Sequence, residues 1–491
     1  MAASIDPRTP VLIGVGTASD DAEATDLMTW ALQEAAWDAG APEILGEIDR
    51  VAVPQGSWDY PDPGRRVADG VGAAQARTHL VELGIPQQSL INDALAAILD
   101  GSSEVAVVVG GEAKLWARNP DAVETAQPGV VPDVVRRRTG TLVEPVEVAT
   151  RLWDPVQQYA MIDNALRAAE GVSIAEHRTQ VAELWARFNQ VAQGNPQAAF
   201  PAPMTAEDIA SPSSGNRPLA FPYNKWHSTQ WTVNQAAALL FCSAQTAHRF
   251  GIAPDRRIFP RVGIESSQAV SMLRREQPHS WPAMGVLARA AAARIGHPIA
   301  EAELIEVYSC FPAAVRVQQR ELGLDPSGTP TLTGGMAFAG GPFNNFVLQA
   351  TAAMAGALRD QPDRLGVVTT VSGLLTKPGL AVWSGSPDGE APLLGDLVDE
   401  ATRVTGSISV VESLEEYAGP ATVVTYTVTP ADAPGTGESR VARWSRTVVV
   451  ADTNDGRRCL AVSDDPEVAD DAVNGDFIGR TLSVKGGTFA A

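Results

Sequence analysis

Pro342–Leu358 reads PFNNFVLQATAAMAGAL, and Pro86–Leu99 reads PQQSLINDALAAIL. Each opens on proline and carries small or apolar residues nearly all round, the pattern of a helix buried on more than one face. The segments C-terminal to the two are matched as well. Pro86–Leu99 leads through Gly101 to the run Val105–Val109 and the pair Gly110–Gly111, while Pro342–Leu358 leads to Gly366–Val371 and then Gly373. Both runs are continuous, apolar and rich in β-branched residues, as expected of strands in a sheet covered on both sides.

The correspondence extends outward. Asp26–Ala39 reads as an amphipathic helix that stops at Gly40 and Pro42, with a strand over Ile48–Val53. Trp281–Ile295 reads the same way, stopping at Gly296 and Pro298 before the strand Leu304–Tyr308. Val11–Val15 and Arg261–Ile264 open the two halves as strands. The chain is therefore a duplication of one α/β unit. Alternating helices and buried strands predict right-handed crossovers and mainly parallel sheets, here two sheets around a shared helical layer.

Two regions break this pattern. From Glu112 to Asn216, helices over Gln157–Ala169 and Ile174–Ala192 mix with the loop-rich stretches Asn195–Pro203 and Ser211–Pro218. This is a helical insertion that rejoins the core near Thr232–Phe250. After about Asp388, short strands are expected at Val404–Val411, Ala421–Thr429, Val441–Val450, Arg458–Val462 and Thr481–Val484, a small barrel of the OB type. The domains are then 1–111 with 217–255, the insertion 112–216, the second half 256–387, and the β domain 388–491.

At 491 residues, 45% hydrophobic and 19% charged, the chain has a globular composition. Its formal charge of −21 argues against a nucleic-acid partner, and acidic side chains outnumber basic ones in the C-terminal segment too. The first ten residues lack a signal pattern and no apolar run reaches spanning length, so no membrane span and a cytoplasmic location are expected. Cys242, Cys310 and Cys459 are too dispersed for a disulfide framework or a metal site.

The run Gly334–Gly335–Met336–Ala337–Phe338–Ala339–Gly340–Gly341–Pro342, with the duplication and the insertion, resembles the thiolase superfamily over roughly residues 8–386. The likeness is to the sterol-carrier-type thiolases and the acetyl-CoA acetyltransferase group. It implies a layered αβαβα fold and an acyltransferase ancestry in lipid metabolism. Thiolases act on acyl-CoA through an activated cysteine, a histidine and a second cysteine. The positions that the resemblance assigns to these groups hold other residues. The nucleophile window Glu82–Gln88 (ELGIPQQ) has no cysteine, Gly341 stands for the histidine, and Val371 stands for the cysteine of a Cys-x-Gly continued by Ser372 and Gly373. Tyr308 stands for an asparagine. The literal Gly296–His297–Pro298 pairs with Gly40–Ala41–Pro42 in the duplication, so it reads as a helix stop.

The candidate catalytic residues are Tyr308 and Cys310, although Cys310 reads first as a buried small hydrophobe and Tyr308 also as a tyrosine that simply hydrogen-bonds and packs. Ser309, Gly340, Gly341, Ser372 and Gly373 are candidates for a substrate pocket or oxyanion site, with the Gly341 and Gly373 amides as donors. His227 reads as a rim or packing residue, and Lys225 as a group able to meet a phosphate. No tightly bound cofactor or metal is implied, and CoA or an acyl-CoA is the ligand the resemblance suggests. Three functions are open: a binder of CoA thioesters or related acyl or lipid ligands without thiolysis, a thiolase-fold aldolase on an acyl-CoA thioester such as a steroid side chain, or a lipid-transfer or interaction protein whose barrel recruits a partner.

Overall fold

The structure is a computed structural model that describes residues 5–406, 410–431 and 443–490. Two helices run through its middle. Gln87–Asp100 starts behind Pro86 and ends at Gly101, whose φ of 78° supplies the left-handed cap that closes a helix. Phe346–Asp360 is its counterpart. Both touch strands of both sheets, which explains why Gln87, Gln88, Ser89 and Asn92 are buried beside Leu90, Ile91 and Leu95. Each fully buried leucine or isoleucine contributes about 1.5–3 kcal/mol of transfer free energy.

The sheets repeat one another strand for strand. In the first, Pro10–Ala18, Asn234–Ser243, Val105–Ala113 and Arg50–Pro54 are neighbours in that order. In the second the order is Phe259–Glu265, Lys377–Ser384, Leu365–Ser372 and Leu304–Glu306. Each set is antiparallel, antiparallel, then parallel. The duplication is therefore a property of the fold. The expectation of mainly parallel sheets is corrected to mixed ones. Leu365–Ser372 turns directly into Lys377–Ser384 through residues 373–376, and so short a connection can only pair its strands antiparallel. The first sheet also carries Arg77–Val81 and, beyond it, Val134–Arg136 from the insertion, paired in parallel.

Gly40 and Gly296 have φ of 73° and 86°, the same left-handed stop at equivalent places. His297 is half-buried and bonds only to its neighbour's carbonyl, Pro298, so it is part of the helix stop. The insertion is built on Pro155–Ala169 and Ile174–Gln193, capped by Asp154 and Ser173, whose side chains accept from Val156 and Glu176 amides.

Ala418–Pro430, Trp444–Thr453, Arg458–Ser463, Thr488–Ala490 and Thr481–Lys485 close a barrel. Its first expected strand, Val404–Val411, is corrected. Residues 404–406 finish the helix Val398–Gly406, 407–409 lie outside the described residues, and Val410 makes an isolated bridge to Arg275. Asp399 and Glu400 in the first turn and Arg403 paired with Glu400 favour that helix over the alternation that suggested a strand. The expected strand Val441–Val450 begins outside the described residues and is seen from Trp444. The barrel is built into the rest of the chain. Phe221 N–H donates to the Val428 carbonyl (2.8 Å) and Asn164 Nδ2 to the Tyr426 carbonyl (2.9 Å). Arg458, with no exposed surface, donates to the carbonyls of Leu273 (3.3 Å), Arg275 and Glu276 (3.2 Å). No described helix is long and apolar enough to cross a membrane.

Candidate functional site

The strand Leu304–Glu306 delivers a buried carboxylate to the loop before the glycine run. Glu306 accepts from the backbone of Leu332 (2.6 Å) and Thr333 (2.9 Å) and from the hydroxyls of Thr331 (2.9 Å) and Thr333 (3.0 Å). Burial raises its carboxyl to about 7 even against these four donors. Ser309, on the neighbouring C-terminal segment, accepts from Met336 N–H at 3.1 Å. The glycine run is thus fixed from below by Glu306 and Ser309.

Its upper face is covered by the chain returning from the insertion. Thr229 donates its amide and its hydroxyl to the Cys310 carbonyl, both at 3.0 Å. Gln230 N–H donates to Met336 (3.1 Å), and Gly341 N–H donates to the Gln230 carbonyl (3.0 Å). Residues 228–230 therefore form a strap between Cys310 and the glycine run. A Cβ at position 341 would lie 2.2 Å from the Thr229 methyl. Glycine is required there because the space a histidine would need is filled. The expectation that the Gly341 amide serves an oxyanion site is corrected, since Gln230 already holds it.

The ground around the window 82–88 and the segment 371–373 is also packed from elsewhere in the chain. A Cβ at Gly373 would meet the Leu142 side chain at 2.6 Å, and one at Gly84 would meet the same side chain at 3.4 Å. Lys377, 2% exposed, donates to the carbonyls of Gly84 and Thr139, each at 3.0 Å. Leu142 and Lys377 thus occupy the ground between the nucleophile window and the Val371–Gly373 segment. Nothing in the sequence marked Thr229, Gln230 or Leu142. Lys377 had one signal, a cation opening an apolar strand.

Tyr308 and Cys310 are brought close together, with different environments. Tyr308 is held through its backbone by the Thr369 hydroxyl (2.9 Å) and the Gln318 amide (2.8 Å), with its ring edge-on to Phe346 at 6.0 Å. It is half-buried, and its hydroxyl has no hydrogen-bond partner among the described residues. Burial raises its pKa well above that of a free tyrosine, so it stays protonated near neutrality. Cys310 is buried and pushed up to about 12 by burial, and its surroundings include Tyr159. Burial therefore favours the neutral thiol over the thiolate. Tyr159 comes from the insertion and stacks on Phe311 at 4.6 Å, a partner that sequence spacing could not reveal. Ser372 and Gly373 are half-buried, Gly340 and Gly341 buried. His227 is buried rather than at a rim, accepting from Asn224 N–H at 3.0 Å, while Lys225 lies over the Trp226 ring at 4.6 Å.

Two duplicated halves, a central pair of helices and the glycine run define a thiolase-superfamily fold, with a closed five-stranded barrel at its C-terminal end. No family model and no curated protein matches the sequence. Among solved structures, a monomeric SCP2-thiolase like protein type 1 from Mycobacterium smegmatis superposes with a TM-score of 0.83 at 27% identity, covering 99% of this chain and 98% of that one. A second, titled an Ltp2-ChsH2(DUF35) aldolase, has a TM-score of 0.59 at 17% identity, covering 77% of this chain and 98% of its own. Human mitochondrial 3-ketoacyl-CoA thiolase gives 0.56 at 16%, covering 78% of this chain and all of its own. The last two are alike in fold only.

Proposed function

We propose that the protein binds CoA thioesters or related acyl or lipid ligands and does not carry out thiolysis. The observation that carries this reading is the strap. The Gly341 amide is spent on Gln230, and the Thr229 methyl leaves no room for a side chain at position 341. The ligand side rests on Tyr308, whose unpaired hydroxyl is half-buried beside Phe346, with Ser372, Gly373 and Leu374 also half-buried nearby in chain and sheet. A polar tip in apolar surroundings suits a thioester carbonyl. The test pairs two assays on the purified chain. Acetoacetyl-CoA thiolysis should be absent, and acyl-CoA should raise the melting temperature. Thiolysis that disappears in Cys310→Ala would refute the first part, and no shift with CoA or any acyl-CoA would refute the second.

A second reading, an aldolase acting on a β-hydroxyacyl-CoA, is favoured by the same free hydroxyl and by the barrel carried in the same chain. In that reaction a base takes the β-hydroxyl proton, the Cα–Cβ bond breaks to a carbonyl and a thioester enolate, and Tyr308 protonates the enolate. Turnover that survives Cys310→Ala and is lost in Tyr308→Phe would establish it over simple binding.

A further inference from the structure

The glycine run has a second face. Gly340, with φ of 96°, turns away from the strap, and a Cβ there would lie 2.3 Å from Gln235 Oε1. Behind it opens a cleft of about 510 Å³, bounded by the end of the strand Pro10–Ala18, the helix Ala24–Asp38 and the second central helix. That volume lies within the range of small-molecule sites. None of the thiolase positions in Glu82–Gln88, Val371–Gly373 or Tyr308 lines it.

Three observations define what the cleft would accept. Its lining includes Glu34 and Asp38 and no lysine, arginine or histidine. Asp38 is already neutralised by Arg359 (2.7 Å) and Arg256 (3.2 Å), which leaves the exposed Glu34 carboxylate without an ion-pair partner among the described residues. The walls also hold unspent hydrogen-bonding capacity. Gln235 is 7% exposed, and its Nε2 serves the carbonyls of Gln197 and Ala339 while its Oε1 has no partner. Both amide atoms of Gln349 are shielded and unpartnered too. Buried amides left unpaired cost stability, so the two unpaired carbonyl oxygens, Gln235 Oε1 and Gln349 Oε1, suit an occupant that supplies donors, with Gln349 Nε2 able to meet one acceptor. The floor is apolar, made by Phe346, Ala236, Ala352 and Ala353.

We propose that this cleft is a binding site, separate from the thiolase face, for a small amphipathic amine: an ammonium group directed to Glu34 and the glutamine carbonyls, and an alkyl or compact apolar body over Phe346 and the alanines. Anionic ligands are disfavoured, because no cation lines the cleft and the one free charge is negative.

The experiment is calorimetric titration of the full chain with n-hexylamine and, separately, hexanoate, which has the same chain length and the opposite charge. Hexylamine binds and hexanoate does not. Glu34→Gln, at an exposed helix position, weakens hexylamine about tenfold, the size of one charge-assisted hydrogen bond. Ala353→Trp fills the floor and abolishes binding, with circular dichroism confirming that the variant is folded. Gln349→Leu serves as a second wall variant and weakens binding without filling the cleft. Equal binding of hexanoate would overturn the charge argument. Hexylamine binding unchanged in Glu34→Gln and Gln349→Leu would overturn the location, as would no binding at all to the native chain.

Discussion

Replacing Gly341 by alanine tests the strap directly. The added Cβ would sit 2.2 Å from the Thr229 methyl and 3.2 Å from the Met336 side chain, and only the first distance is impossible without movement. Overpacking of this kind costs about 1–3 kcal/mol. The displacement would also strain the bonds from Gln230 to Met336 and from Thr229 to Cys310, so the upper half of that range is expected. Thr229→Ser removes the methyl and keeps the hydroxyl on the Cys310 carbonyl, at about 0.8 kcal/mol for the lost CH₂-sized group. If the clash is the reason for glycine, the double variant is more stable than the sum of the single effects predicts. The coupling should be about 1–2 kcal/mol, read from urea denaturation of all four proteins followed by tryptophan fluorescence. A neutral Gly341→Ala, or additive effects, would show that the strap does not set this position.

Buried groups and covered edges give three further expected outcomes. Burial lowers His227 to about 4, below its ordinary 6.5, so the unfolded chain binds the extra proton. Its contribution is present above pH 6.5 and lost as pH falls through 4, worth about 3 kcal/mol in all. His227→Asn should flatten that part of the stability profile, whereas Glu306, raised to about 7, acts with opposite sign in the overlapping window from 4.5 to 7. Arg458→Met leaves the carbonyls of Leu273, Arg275 and Glu276 unpaired. It should cost about 3 kcal/mol and expose residues 410–417 to limited proteolysis, and an unchanged digestion pattern would count against a docked barrel. The edge of Arg77–Val81 is covered by Val134–Arg136, so light scattering should give the monomer mass of 51.7 kDa; a dimer would mean that another edge pairs.

The duplication was legible because buried helices and strands write their environment into composition. The first Ala-rich segment and the apolar runs fall where the sequence placed them, but the second helix starts at Phe346 rather than at Pro342, because Asn344 takes a positive φ of 52°. Strand direction was less legible, because it depends on connection geometry: the turn at residues 373–376 sets the antiparallel pair that alternation alone would have made parallel. Val404–Val411 was misread for a related reason, since a β-branched alternation cannot report the ion pair and the acidic first turn that make its beginning helical. At the site, the resemblance singled out positions (Gly341, Val371, Tyr308 and the window at 82–88) without saying what surrounds them. Thr229, Leu142 and Lys377 reach the site from distant parts of the chain through contacts that leave no local pattern.

The strap also bears on how readily a cysteine–histidine site could be installed in this fold. Putting cysteine into the window at 82–88 and histidine at 341 would change letters without making room for them. Thr229 would have to leave the space above the glycine run, and Lys377 would have to release the carbonyls of Gly84 and Thr139. The strap is held in turn at Phe221, whose amide is bonded to the barrel at Val428. Each single substitution is therefore destabilising before it is useful. Packing of this kind works as a ratchet: substitutions that leave the strap in place are tolerated more easily than ones that would have to move it.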